Sequence, residues 1–329
     1  MSRRWLLTVF LVIGFGLSFL IPQYRLINPY IQLILMYVGI NIILATSLNL
    51  VNGYMGEFSV GHAGFMAVGA YISALLTMKV IPDSLTHWFF PITVIAGGLG
   101  AALIGLMVAI PSFKTRGDYL AIVTLAFNMI VKSVIENIDA IGGPRGIPGI
   151  EKLTTMPWVF FWTVVAVWMM RNFVYSNYGR GVFSIREDEI ASELMSVNTR
   201  QVKLLTFMIS SFFAGVAGAL FAHLLQFISP RVFDILKSTD ILMMVYLGGI
   251  GSIAGSILGG TIFTVMLEVL RPLGYYRFVL MPLLLIFLML YRPRGIMGLR
   301  EFRWFIPGYE LLAGKLWREK KEVSDAPAS

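Results

Sequence analysis

Apolar residues fill this chain in long runs, separated by short polar stretches that carry most of its charge. A membrane-crossing helix needs about 20 predominantly apolar residues, within a range of roughly 17 to 25. On that ruler the pattern predicts spans over residues 5–21, 30–50, 57–78, 88–112, 118–138, 158–175 and 204–227. The run from 240 to 291 is broken by "LGGIGSIAGS" and "RPLGYYR", which predicts a short segment ending near Gly248, a span over 253–270 and a last one over 276–291. The expected architecture is all-α and polytopic, with about ten membrane segments, one of them short or broken.

One polar stretch breaks the pattern differently. "GRGVFSIREDEIASELMSVNTRQVKLL", residues 179–205, is helix-prone yet densely charged. Ser184 to Glu187 spell S-x-x-E, a capping box, and Asp188 and Glu189 add negative charge where a helix N-terminus favours it. Arg186 lies inside the box. Ile190, Ala191, Leu194 and Met195 then form an apolar stripe, so the pattern predicts about three turns of helix from Ser184 to near Asn198, with Thr199 capping the next span. A helix this short is marginal alone in water and must pack on something. Two placements are open: a connector lying on its own bundle or on lipid headgroups, or a helix docked into a partner.

Charge gives orientation. The loops placed inside hold Lys114, Arg116, Arg180, Arg186, Arg200 and Lys203, and the termini add Arg3, Arg4, Arg292, Arg294, Arg300, Arg303, Lys315, Arg318, Lys320 and Lys321. The opposite loops hold Arg25, Lys79, Arg145, Lys152, Arg231, Lys237, Arg271 and Arg277, so the positive-inside bias places both termini in the cytoplasm. The first apolar run follows an Arg pair as in a signal peptide but lacks a small-x-small cleavage site, and is read as a retained span. The 329 residues are 57% hydrophobic and 13% charged, about half the charged fraction of a soluble domain, with mean hydropathy +0.78. A net charge of +8 therefore reflects membrane orientation and contact with lipid, not nucleic-acid binding. The chain has no cysteine, which excludes disulfides and thiolate metal sites.

No catalytic motif is present: no G-x-x-x-x-G-K-[ST] phosphate loop, no H-E-x-x-H and no clustered aspartates for diphosphate chemistry. No cofactor or metal is expected. Two glycine-rich stretches, "GYMGEFSVGHAGFMAVGAY" and "LGGIGSIAGSILGGTIF", hint at related halves, although Gly251, Gly255 and Gly259 also fit close helix packing. Ionisable residues in spans are costly and are functional candidates by default. Glu57 and His62 fall at the start of the third span. Lys132 and Glu136, four apart, can form an intrahelical pair or snorkel outward. Asn41, Asn49, Asn52 and Asn128 can bridge helices or meet a polar substrate. Glu57, His62, Asn128, Lys132 and Glu136 are the candidates for a translocation pathway.

Four motifs carry a family resemblance: "SLNLVNGYMGEFSVGHAGFMAVGAY", "RGDYLAIVTLAFNMIVKSVIENI" with the following "GGPRGIPGI", the stretch from Gly179 to Leu220, and the terminal "YRPRGIMG". In this order, from about residue 45 to 298, they resemble the permeases of branched-chain amino-acid ABC importers, in particular the M-type subunit. The resemblance implies a multi-pass protein of the bacterial inner membrane with a single permease domain over 1–298 and a cytoplasmic tail over 299–329. It implies a second, related permease, two cytoplasmic ATPase subunits that bind the ATP, and an extracytoplasmic substrate-binding protein. It makes the loop at 176–203 the ATPase-coupling element, with Ser184, Arg186, Glu187, Asp188, Glu189, Ile190, Leu194 and Met195 as its working residues. This chain departs from the family in Ser196, where Gly is usual, and in Glu57, where Gln is common. Permeases of the wider family move urea or short amides, and a self-sufficient secondary transporter is the alternative from another class.

Overall fold

The computed structural model describes residues 3–24, 27–82, 85–113, 119–292, 295–298 and 300–302. Arg25, Lys114, Arg116, Arg294 and the tail beyond 302 lie outside the described residues.

The apolar runs are helices. In chain order they are α1 (Arg3–Gln23), α2 (Pro29–Asn49), α3 (His62–Leu75), α4 (Thr86–Ser112), α5 (Tyr119–Glu136), α6 (Met156–Val174), α7 (Asn177–Glu187), α8 (Glu189–Leu194), α9 (Thr199–Leu225), α10 (Ile235–Gly248), α11 (Ile253–Val269) and α12 (Arg277–Tyr291). Both α2 and α3 run on as π-helical turns, over Leu50–Met55 and Leu76–Val80. Six of these helices, α2 to α6 and α9, are long and apolar enough to cross a membrane; α11 and the apolar parts of α1 and α12 are shorter. The protein is thus an all-α polytopic membrane protein. Two strand fragments, β1 (Ile147–Pro148) and β2 (Phe227–Ile228), pair antiparallel and tie the loop before α6 to the end of α9.

Several boundaries differ from the pattern, among them the start of α9 at Thr199 rather than 204. The third span was expected to open at 57, but residues 56–61 are non-helical: Gly56 ends the π-helical turn in the left-handed region at φ 78°, and α3 starts only at His62. The short segment near 240–248 begins earlier, at Ile235, because Asp234 caps it by accepting from the Ile235 amide at 2.7 Å. Its charged residues, Lys237 and Asp240, hide those turns from an apolar ruler.

With lipid on the outside there is little hydrophobic drive between helices, so small residues set the packing. The core is where α3, α4 and α9 touch backbone to backbone. A Cβ on Gly69 would lie 2.2 Å from the Gly215 carbonyl oxygen, and one on Gly97 would lie 2.7 Å from that of Gly69. The second glycine-rich stretch divides its labour: Gly255 and Gly259 of α11 lie against Gly248 and Met244 of α10, whereas Gly251, at φ 77°, makes the turn between them. Asn49 of α2 locks this turn. Its Nδ2 donates to Ser252 O at 2.8 Å and Ser256 Oγ at 2.7 Å, and its Oδ1 accepts from Gly251 N at 2.9 Å. Asn41 likewise bridges α2 to Thr264 of α11 at 2.8 Å. A residue after the last helix closes the same corner: Glu301 accepts from the Ile253 and Ala254 amides at 2.6 and 3.0 Å and from the Tyr54 hydroxyl at 2.7 Å.

Candidate functional site

The polar stretch at 176–203 folds into two short helices, not one. Ser176 caps α7 by accepting from Gly179 N, so the helix is already running when it reaches Ser184. Ser184 therefore does not cap: it sits inside α7 with its Oγ donating to Gly181 O at 2.9 Å. The break comes at Asp188, whose backbone is extended (φ −160°, ψ 113°) and whose Oδ1 accepts from Ala191 N at 3.0 Å. A short acidic side chain that can bond its own following turn competes with helix continuation, and here it wins. After Leu194 the chain turns through Ser196 at φ 63°, one of two non-glycine residues among those described in the left-handed region. Asn198, not Thr199, caps α9 by accepting from Gln201 N, and Thr199 donates to Glu193 at 2.9 Å.

A six-residue helix does not persist by itself, and α8 is held by ionic and polar anchors. Lys203 of α9 reaches Glu189 at 2.8 Å and Glu57, in the loop before α3, at 2.7 Å. Its side chain is only 7% exposed and its Nζ lies 5.6 Å from the centre of the Phe113 ring. One buried cation thus joins three elements and meets two carboxylates. From α7, Arg186 donates to Gly53 O at 3.0 Å, fastening the loop to the π-helical turn after α2. Residues 52 and 59 close that turn reciprocally, Asn52 Nδ2 donating to Ser59 O and its Oδ1 accepting from Ser59 N, both at 3.2 Å.

Facing away from these anchors, Ile190, Leu194 and Met195 are 62, 81 and 80% exposed, and Glu187 and Asp188 are exposed beside them. Removing three such side chains from water is worth about 5 kcal/mol before association costs are counted. The arrangement is a rigidly mounted, short amphipathic helix with its apolar face uncovered.

The other sequence candidates separate. Glu57 belongs to the Lys203 cluster, at the end of the bundle that carries α8. His62 is buried and bonds Ser47 Oγ at 2.8 Å, while Ser210 donates to Ser47 O at 2.6 Å, so the histidine bridges α2 and α3 with α9 alongside. Lys132 does not pair with Glu136; it meets Asp234 at 3.0 Å, because the cap of α10 presents a fixed carboxylate across the seam. The Ile235 N–H, and after it Lys132, hold the Asp234 carboxyl below the usual carboxylate range. Asn128 is buried on α5, against Gly64 of α3. Sequence reading passed over His223, which is fully buried in α9 and bonds Ser73 Oγ and Glu151 O, each at 3.1 Å. Lone histidines in an apolar run carry no pattern that would have marked it. Lys203 was counted only as an inside charge; its spacing from Glu189 and Glu57 carries no sequence signal. Among the described residues no group of three His, Cys, Asp or Glu is placed to hold a metal.

The arrangement, a bundle of helices long and apolar enough to cross a membrane with short α8 exposed at one end, is that of a membrane-embedded protein. Comparison with known proteins agrees. Residues 30–291 match the model of the family described as "Branched-chain amino acid transport system / permease component", and the chain belongs to that family. It is 34% identical over 294 residues to the high-affinity branched-chain amino acid transport system permease protein LivM of Escherichia coli (strain K12), covering 78% of this chain and 68% of that one. It is 26% identical over 287 residues to the LivH permease protein of the same kind of system in Salmonella typhimurium, covering 79% and 91%. The probable LivM permease protein of Methanocaldococcus jannaschii is 25% identical over 319 residues, covering 81% and 92%. No solved structure matches the chain.

Proposed function

We propose that this chain is the M-type permease subunit of a binding-protein-dependent importer, moving branched-chain amino acids inward on ATP hydrolysed by separate subunits. One observation carries the reading: α8 is clamped by Lys203 and Arg186, yet presents Ile190, Leu194 and Met195 to water. In this reading α8 seats in a groove of a cytoplasmic ATPase subunit, and the buried anchors turn ATPase closure into movement of α2, α3 and α9. Similarity to both LivM and LivH relatives supports pairing with a second, related permease. We infer about ten membrane segments, one short or broken, from the apolar runs and cytoplasmic termini from the charge bias, with one permease domain over 1–298, its coupling loop at 176–203 and a cytoplasmic tail over 299–329. Substrate arrives from an extracytoplasmic binding protein.

The test is reconstitution with the partner permease, the ATPases and the binding protein in proteoliposomes. Leucine uptake is expected to require ATP and every subunit. Leu194→Asp/Met195→Asp, on a surface that folding does not use, is expected to abolish ATPase co-purification and lower uptake at least tenfold. Uptake by the purified chain without ATPases, or normal uptake in the double variant, overturns the reading.

A further inference from the structure

One group of polar atoms lies away from the α8 anchors, where α5, α3 and the start of α10 meet. Lys132 and Asp234 pair at 3.0 Å across the seam, and with side chains 22 and 32% exposed the pair is reachable. Asp234 is pinned by its own helix: its Oδ1 accepts from Ile235 N at 2.7 Å while Oδ2 meets the lysine. One turn along α5 from Lys132, Asn128 is 2% exposed and its Oδ1 accepts no hydrogen bond. Nor has the Tyr71 hydroxyl on α3 a partner, although the residue is only 4% exposed; its ring lies 6.3 Å from that of Phe233, next in sequence to Asp234. Gly64 lets α3 close on this seam: a Cβ there would sit 3.2 Å from Asn128 Oδ1.

Buried polar atoms are nearly always bonded, and two orphans beside one accessible ion pair require an explanation. A bare structural ion pair accounts for Lys132 and Asp234 but leaves Asn128 and Tyr71 unsatisfied. A visiting ligand with both a donor cation and an acceptor anion accounts for all four.

We propose that the Lys132–Asp234 pair recognises the zwitterionic backbone of an amino acid during passage. The substrate carboxylate meets Lys132 and its ammonium meets Asp234, so one ion pair opens into two and the seam stays neutral throughout. A neutral or singly charged molecule offers no such exchange and leaves one charge of the pair unmatched. The ammonium then finds Asn128 Oδ1 one turn along, with the Tyr71 hydroxyl as a further partner. Because the pair is partly solvated, each contact is weak, as a pathway that must release its cargo requires. This inference rests on the permease reading and sharpens it: it selects α-amino acids over urea or short amides.

The experiment uses the complete transporter, in two arms. In proteoliposomes, Lys132→Met and Asp234→Asn are each expected to lower leucine uptake at least tenfold with assembly retained. The exchanged pair Lys132→Asp/Asp234→Lys is expected to return to within threefold of wild type, since a zwitterion can bind in reverse. In nanodiscs without the binding protein, saturation-transfer NMR at millimolar ligand is expected to show leucine contact exceeding that of leucinamide in the wild type. Lys132→Met is expected to erase that preference, which a merely structural pair would not do. Unaltered uptake in both single variants, or an unchanged preference for leucine over leucinamide in Lys132→Met, overturns the proposal. If the wild type shows no ATP-dependent uptake, the permease reading fails and this inference with it; if the wild type transports and the variants are indifferent, this inference alone fails.

Discussion

Replacing Lys203 with Met should loosen α8 without disturbing the membrane core. The side chain is nearly buried, and it alone connects Glu189, at the start of α8, with Glu57, in the loop before α3. Breaking a buried pair from one side costs about 3–5 kcal/mol. The stranded partners here are 23 and 43% exposed and can rehydrate, which reduces the expected cost to about 2 kcal/mol. A local opening made easier by that amount speeds amide exchange about 30-fold, at 1.4 kcal/mol for each factor of ten. Hydrogen exchange of amides 189–194 in nanodiscs reads this directly. Glu57→Gln keeps a hydrogen-bonding group and leaves Glu189 as counter-charge, so its effect should be threefold or less. Glu57→Gln combined with Glu189→Gln strands a buried ammonium, so the double variant should exceed the sum of the singles by about 1 kcal/mol or more. Exchange in Lys203→Met within threefold of wild type, or strict additivity in the double variant, would refute a shared cation.

Ser196→Gly should stabilise the turn after α8 by about 0.5 kcal/mol, the relief of left-handed strain less the added unfolded-state entropy, whereas Ser196→Val should cost about 1–2 kcal/mol; thermal unfolding followed by tryptophan fluorescence compares them. Gly215→Leu should prevent α4 from seating on α9, because even its Cβ would lie 2.5 Å from Ala101 Cβ and 2.8 Å from Gly97 O; size-exclusion yield should collapse, while Gly16→Ala, with nothing within 4 Å, should express normally. Asp234 titrates below its unfolded value, so its contribution is present above about pH 4 and lost as pH falls through the lower folded value; thermal-stability curves of wild type and Asp234→Asn should differ at neutral pH and converge in acid.

Helices that meet lipid were legible because the bilayer demands an unbroken apolar run, and a run of that length has few other uses. Boundaries failed where a polar residue could serve two purposes. The S-x-x-E pattern at Ser184 is a sound capping signal, but Ser176 starts the helix two turns earlier and Asp188 then claims the cap for itself. The first turn of α10, with Lys237, lies before the apolar run read from 240, and the acidic cap at Asp234 is what makes it helical. What joins α8 to the bundle was illegible for a different reason. Glu57 and Lys203 are 146 positions apart, and Asn49 meets Gly251 across 202; no periodicity in one sequence encodes contacts at that range. The apolar stripe of Ile190, Leu194 and Met195, by contrast, could be read directly, since it is local.

The hydrogen bond from Tyr54 to Glu301 sets a schedule for synthesis. The two residues are 247 positions apart, so at 5–20 residues per second the ribosome makes the tyrosine about 12 to 50 s before the carboxylate that will accept its hydrogen bond. Until then the α11 N-terminus has only Ser252, which accepts from Gly255 N, while the Ile253 and Ala254 amides that Glu301 will take are still unpaired by it. The first residues after the membrane part therefore act as a completion check: a chain released a few codons before Glu301 would hold every described helix of the bundle and still lack the clasp that closes the corner where α2, α10 and α11 meet.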